Sequence, residues 1–188
     1  MGQLRLVSSR PDSQPAVSRK QAVHPCLEAF EPEVDYLMRT LRRLGIPRDD
    51  VEDLTQEVFL VLYQIWEKYD PSRPLRAYLF GIAFRVAATH GRKRRREILR
   101  PVIDVGDLGP RPDRVLEGKQ ARALVLSALE RVPLPRRAVL IMHDIDQISM
   151  TDIADTLSIC RFTGYSRLRK ARKEFAAAVV SLRGGSEP

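Results

Sequence analysis

Between Met150 and Lys173 the chain reads MTDIADTLSICRFTGYSRLRKARK, two short helical patterns around a tight turn, the second of them basic on one face. In the first pattern Met150, Ile153, Ala154 and Leu157 recur at helical spacing, and in the second Gly164, Leu168, Ala171 and Phe175 do the same. These stripes are expected to pack inward. Tyr165, Ser166, Arg169, Lys170, Arg172 and Lys173 are then left outward, with Thr163 and Arg167 completing the set. Hydroxyl and cationic donors on one helix face can reach base edges and phosphates in a major groove. The outline is a DNA-reading helix-turn-helix; the plainer alternative is a helical hairpin with a solvated basic face.

A second group of candidates is acidic. Pro47 suits a first helical turn, and Asp49, Asp50, Glu52 and Asp53 follow where the positive helix end favours carboxylates. Gln56 and Glu57 extend the polar face past the first turn, where that benefit has faded. Charge repulsion makes this face a poor DNA contact, so it reads either as solvated surface or as a docking surface for a basic protein partner. A magnesium-dependent nuclease built on Asp49, Asp50, Asp53 and Glu57 is the enzymatic alternative, disfavoured because the helix end already accounts for the acids. His90 and His143 lie in no motif that pairs a nucleophile with an oriented base, so no catalytic residue is expected.

The third group follows in YDPSRPLRAYLFGIAFRVAATHGRKRRR. A proline-restrained loop leads into a helix in which Leu75, Leu79, Ile82 and Val86 are expected to face inward. Tyr69, Tyr78 and Phe84 beside Arg73, Arg76 and Arg85 can stack unpaired bases and hold a strand backbone, and Arg92, Arg94 and Arg95 extend the cationic run. Ordinary core filling is the alternative for each aromatic taken singly.

These groups need a scaffold. A chain of 188 residues that is 44% hydrophobic can fill a core of one or two small domains without metal or disulfide support. Its net charge of +8 implies an anionic partner, and the separation of two basic stations by an acidic one implies more than one partner. Cys26 and Cys160 offer neither a disulfide framework nor a zinc signature, and His24 with Cys26 forms an H-x-C pair that nothing completes; no metal or other cofactor is expected. No apolar run has the length of a membrane span and no secretion signal is expected, so a reducing cytoplasm fits best.

Residues 1–26, rich in Ser and Pro, read as a flexible tail. Residues 27–96 read as three main helices broken at Gly45 to Pro47 and at Asp70 to Pro74, with Leu54, Val58, Leu62, Ile65 and Trp66 as core anchors. Residues 97–118 carry Pro101, Gly106, Gly109, Pro110 and Pro112 and read as a linker. Residues 119–182 read as four helical pieces, Lys119 to Val132, Arg136 to Asp144, Met150 to Leu157 and Thr163 to Leu182, ahead of a short tail, 183–188. No strand-length alternation stands out. The expectation is an all-α protein of two small helical bundles joined by a flexible linker.

The order of these features resembles bacterial sigma factors of the extracytoplasmic-function (ECF) type, initiation subunits of RNA polymerase, over most of residues 27 to 180. DDVEDLTQEVFLVLYQIW resembles sigma region 2.2; the resemblance implies that Asp53, Gln56, Glu57 and Leu60 grip the clamp helices of the polymerase β′ subunit. YDPSRPLRAYLFGIAFRVA is similar to the loop and helix that read the minus-ten element, with Tyr69 and Arg85 at the positions that capture a flipped base. ALVLSALERVPLPRRAVLIMHDIDQISMTDIADTLSI and the basic helix after it resemble region 4, which reads the minus-thirty-five element and meets the polymerase β flap.

Two departures stand out. Arg85 replaces a frequent Asn, and CRFTGYSRL replaces the usual proline-valine-glycine-threonine turn, placing Tyr165 where a basic side chain is frequent. The resemblance implies a non-enzymatic factor for promoter recognition, melting and initiation, and an anti-sigma factor as a further candidate partner. A linker of about 20 residues reaches roughly 66 Å, comparable to two turns of duplex, so the two bundles can serve separated elements. The rival is a polymerase-independent helix-turn-helix regulator, which paired half-sites in its operator would favour.

Overall fold

A computed structural model describes residues 24–98 and 117–184. The Ser- and Pro-rich segment up to residue 23, most of the expected linker and the last four residues lie outside the described residues. Eight α-helices are described: α1 (Pro25–Phe30), α2 (Val34–Arg43), α3 (Val51–Ile65), α4 (Leu75–Ile98), α5 (Glu117–Glu130), α6 (Leu134–Leu140), α7 (Met150–Thr156) and α8 (Arg161–Gly184). Among the described residues there is no strand, and no helix is long and apolar enough to cross a membrane.

The helix ends follow local chemistry. Pro25 opens α1, where the His24 Nδ1 accepts from the Cys26 backbone N–H at 3.2 Å. Residues 25 and 26, expected in the tail, therefore form a helical turn with Cys26 wholly buried; the pattern is too short to show periodicity in sequence. Pro133 and Pro135 prove to be the entry to α6, with Pro133 at the N-cap. That helix then widens into a π turn over Ile141–Ile145. Ser149 caps α7: its hydroxyl accepts from the Asp152 N–H at 3.2 Å and donates to the Asp152 carboxylate at 2.6 Å.

In the N-terminal half, α2, α3 and α4 pack around Leu37, Leu41, Val58, Leu62, Leu79 and Phe80, all essentially inaccessible. Leu54, Val58 and Leu62 are buried as expected, whereas Ile65 and Trp66 are half-buried at its margin. In the C-terminal half, α8 packs along α5, α6 and α7 around Leu129, Val139, Met142 and Ile153. Gly164 permits the closest approach there, since a Cβ at that position would meet the Met150 Sδ at 2.5 Å.

The two halves also pack on each other, and their buried residues form one continuous apolar cluster. Arg137 ties them together. Its buried guanidinium donates to the carbonyls of Val132 (3.0 Å), Glu130 (2.6 Å) and, across the seam, Leu44 (2.7 Å). The Glu130 and Leu44 acceptors lie at the C-termini of α5 and α2, where the dipole favours a cation. Burial draws the guanidinium below its ordinary pKa. Gly45, at φ 93°, takes the left-handed turn after α2, and any Cβ there would run into the Arg137 guanidinium. Asp146 makes the second tie, accepting from the Tyr36 hydroxyl at 2.8 Å and pairing with Arg43 at 3.4 Å.

Candidate nucleic-acid interface

The helix α3 displays Asp53, Gln56, Glu57 and Leu60 on one exposed face, while Leu54, Val58 and Leu62 hold its other side in the core. Leu60 is 58% exposed, and Tyr63, one turn further on, is 50% exposed, so the acidic end runs into an apolar one. The helix α1 braces this stretch: His24 tilts against Tyr63 at 4.7 Å between centroids, and Phe30 meets Phe59 at 4.9 Å. Tyr63 was missed in the sequence, although its spacing from Gln56 and Leu60 already put it on that face. An acid-to-apolar stripe of this kind suits a basic protein surface with an apolar centre.

The loop before α4 is preorganised. Asp70 Oδ1 accepts from the Ser72 N–H at 2.9 Å; the Ser72 hydroxyl first, and this N–H second, hold the Asp70 carboxyl below its ordinary range, and the Tyr69 hydroxyl donates to the Arg73 carbonyl at 2.9 Å. Tyr69 stacks on Trp66 at 5.3 Å and tilts against Tyr78 at 5.1 Å, building an aromatic cluster at the foot of α4. Arg73, Tyr78 and Arg85 line one small cavity of about 150 Å³; Tyr69 is not among its lining residues.

The other wall of that cavity belongs to α7, through Asp152, Asp155 and Thr156. Arg73 pairs with Asp155 at 3.5 Å, and a Cβ on Gly81 would meet the Thr156 methyl at 2.9 Å. Arg85 turns back along its own helix, its Nε donating to the Gly81 carbonyl at 3.1 Å. The first helix of the helix-turn-helix therefore lies over part of the α4 face expected to meet single-stranded DNA.

The remaining α4 candidates divide. Arg92, Arg94 and Arg95 are exposed near its end. Arg76 is exposed but held by Glu33 at 2.8 Å and lies over the Tyr36 ring at 5.1 Å. Phe84 is half-buried and packs against the core, so its environment favours core filling over base stacking.

In the helix-turn-helix, Met150, Ile153, Ala154, Gly164, Leu168 and Ala171 are buried, Leu157 and Phe175 half-buried. The turn carries Ser158 in the left-handed region at φ 52°. Outward lie Tyr165, Arg169, Lys170 and Lys173, with Thr163, Ser166 and Arg167 half-buried. Thr163 Oγ1 lies 3.1 Å from the exposed Cys160 Sγ, a contact that draws the Cys160 thiol below its ordinary pKa.

Arg172 differs from expectation. It is exposed, yet its guanidinium donates to both oxygens of Asp144, at 2.8 and 2.6 Å, fastening α8 to the π turn. Sequence spacing could not reveal that pairing, because it joins residues on two different helices. Among the described residues no cluster of His, Cys, Asp and Glu could hold a metal ion.

Comparison with known proteins adds a family match, two sequence relatives and two solved structures of similar fold. Residues 29–97 match the family Sigma-70 region 2. The chain is 28% identical over 151 residues to RNA polymerase sigma factor CnrH of Cupriavidus metallidurans, covering 75% of this chain and 79% of that one. It is also 28% identical over 151 residues to ECF RNA polymerase sigma factor SigE of Mycolicibacterium smegmatis, covering 78% of this chain and 58% of that one. Among solved structures, the fold is similar to sigma factor RpoE in complex with the anti-sigma factor NepR from Bartonella quintana (TM-score 0.65, 21% identity, 81% of this chain and 94% of that one). It is likewise similar to CnrH in complex with the cytosolic domain of CnrY (TM-score 0.60, 24% identity, 83% and 88% covered).

Proposed function

We infer that the chain belongs to the ECF group of RNA polymerase sigma factors and works as one, binding core polymerase and directing it to promoters. One observation carries this reading: the Sigma-70 region 2 match over residues 29–97 contains an exposed acidic-to-apolar face on α3. Asp53, Gln56, Glu57 and Leu60 dock on the polymerase clamp helices, joined by Tyr63. The aromatic cluster at Tyr69 and the cations Arg73, Arg85, Arg92, Arg94 and Arg95 hold the opened minus-ten strand. Stacking a base on such an aromatic contributes about 1 to 3 kcal/mol, comparable to the cost of extracting it, so melting needs no nucleotide hydrolysis by this chain.

Tyr165, Ser166, Arg169 and Lys170 read the minus-thirty-five duplex, and Lys173 meets its backbone. The chain acts by binding rather than by catalysis, in the cytoplasm, where its template lies. Residues 27–96 and 119–182 are the two working modules, with the intervening segment as tether.

The α7 contact with α4 supports a docked resting form. With Asp155 on Arg73 and Thr156 on Gly81, the minus-ten face is partly covered, so engaging a promoter requires α7 to move away. An anti-sigma factor is a further partner on this reading, as NepR is for the Bartonella quintana RpoE whose fold this chain resembles. The polymerase-independent regulator receives no support from these relatives.

The deciding experiment is transcription in vitro with purified core polymerase on a genomic promoter library, with and without this protein. Discrete start sites that require the protein are expected. Failure both to bind core polymerase and to start any transcript overturns the reading.

A further inference from the structure

The first turn of α8 carries a feature that the basic face does not explain. Phe162 is 83% exposed and Tyr165, three positions on and on the same side of the helix, is 57% exposed. A phenylalanine left that open is not part of the core. It borders a groove of about 370 Å³ lined by Pro133, Pro135, Ser166 and Lys170, so apolar ring and cationic side chain share one surface. Between Arg161 and Lys173 there is no acidic side chain, and Arg161, Arg169 and Lys170 are exposed around the two rings. Cationic surroundings without a compensating acid fit a polyanion and disfavour a second copy of the same basic surface.

We propose that Phe162 and Tyr165 form an apolar reading head that selects thymine, through its C5-methyl group, in the upstream promoter element. This rests on the sigma-factor reading for the element's name, but not for its chemistry. The N-terminal residues of a recognition helix are the ones that meet base edges in the major groove. Phe162 has no hydrogen-bonding group. The thymine methyl is the apolar feature a major groove offers, and it distinguishes T from the other three bases. Arg161, Arg169 and Lys170 would hold the flanking phosphates, fixing the depth at which the rings enter. Tyr165 adds a hydroxyl at the edge of the same contact and so tolerates a polar neighbour.

The test begins by selecting duplexes from a random library with the full chain alone, then replaces each thymine of the enriched site by deoxyuracil, which removes only the methyl. Wild-type protein should lose about fourfold in affinity for each contacted methyl, the effect of burying one such group. Phe162→Ala should bind thymine and uracil duplexes equally, and Phe162→Leu should keep part of the discrimination. Phe162→Arg should shift the preference at that position toward guanine, whose O6 and N7 accept from a guanidinium. Because Phe162 is exposed, these variants leave the core intact, and thermal melting of each verifies it.

Several results overturn the proposal: no enriched duplex, equal affinity of wild-type protein for thymine and uracil, or discrimination retained in Phe162→Ala. So does a Phe162→Ala protein whose only defect is in binding core polymerase, since the ring would then face protein. Thymine selectivity in a chain that never binds polymerase would sustain this proposal while defeating the sigma-factor reading; transcription without thymine selectivity would do the reverse.

Discussion

The Arg137 guanidinium donates to the Leu44 carbonyl at 2.7 Å, joining residues 93 positions apart and placing a buried cation between the two halves of the molecule. Its other two bonds go to the end of α5, so three carbonyls depend on one side chain. Arg137→Met should strand those acceptors and cost about 3 kcal/mol. In a domain of this size that lowers the melting temperature by roughly 6 to 12 °C. Gly45→Ala, which strains the backbone and displaces the same guanidinium, should move it in the same direction. Calorimetry on both variants checks the pair; a melting point within a degree or so of wild type for Arg137→Met would refute the account.

Charge reversal on the outer face of α3 separates binding from folding. Glu57→Lys alters an exposed side chain past the first turn, so stability should stay within about 0.5 kcal/mol of wild type, whereas Asp53→Lys also gives up a first-turn carboxylate and should cost about 1 kcal/mol. Affinity for core polymerase should fall by about tenfold or more and grow less sensitive to salt. Fluorescence anisotropy of labelled protein titrated with core enzyme at two salt concentrations gives both numbers. Undiminished binding in both variants assigns the polymerase face elsewhere.

Opening of the seam between α4 and α7 can be driven from one small residue. Gly81→Ala favours the isolated helix by about 1 kcal/mol yet crowds Thr156 in the docked arrangement. Asp155→Lys turns its pair with Arg73 into a repulsion. Both should raise the radius of gyration and increase binding of single-stranded minus-ten DNA several-fold. Small-angle scattering and strand titration should change together; a larger radius without tighter strand binding would mean that α7 does not mask the site.

Two aspartates two positions apart should give pH effects of opposite sign. Pairing with Arg172 holds the Asp144 carboxyl below its ordinary value of 3.8, so its contribution is present above pH 3.8 and is lost as pH falls through the lower folded value. Burial raises the Asp146 carboxyl above 3.8, so the folded state binds that proton more readily and its contribution grows as pH falls into that window. Urea titrations on the acid side of neutrality should show Asp144→Asn losing less stability on acidification than wild type, and Asp146→Asn losing more. Identical slopes in all three proteins would exclude both assignments.

The turn of the helix-turn-helix can be relaxed. Ser158 holds φ 52°, a region glycine occupies without a Cβ penalty. Ser158→Gly should stabilise the protein by about 0.5 to 1 kcal/mol, net of the added freedom of the unfolded chain, and leave duplex affinity unchanged. Chemical denaturation measures the gain, and a destabilised variant would show that the Ser158 side chain contributes more than its backbone costs.

What could be read from the sequence was whatever repeats on a helix. Met150, Ile153, Gly164, Leu168 and Ala171 are buried at the positions their spacing implied, and Asp53, Gln56, Glu57 and Leu60 share the exposed face of α3. Periodicity tells which side of a helix is apolar, but not which other helix will meet it. For that reason the Tyr36–Asp146 bond, spanning 110 positions, and the pairing of Arg172 with Asp144 could not be foreseen. Phe84 was left open between base stacking and core filling for a related reason, since an aromatic beside arginines in sequence can still turn its ring into the core, as this one does. Phe162 went unremarked because its type suggests an interior position, and only its surroundings reveal that it faces water.

The seam that Asp155 and Thr156 make with α4 gives an inhibitor an easy target. On the proposed reading, a molecule that grips both halves at once need not touch a single base-reading side chain to silence the protein, because it stabilises the arrangement in which the minus-ten face is partly covered. At a free concentration about 100 times its Kd it adds about 2.7 kcal/mol to that arrangement, and the open fraction falls about a hundredfold. Silencing and release then become a contest of concentrations, decided by how much of such a clasp is free and how much polymerase and template compete against it.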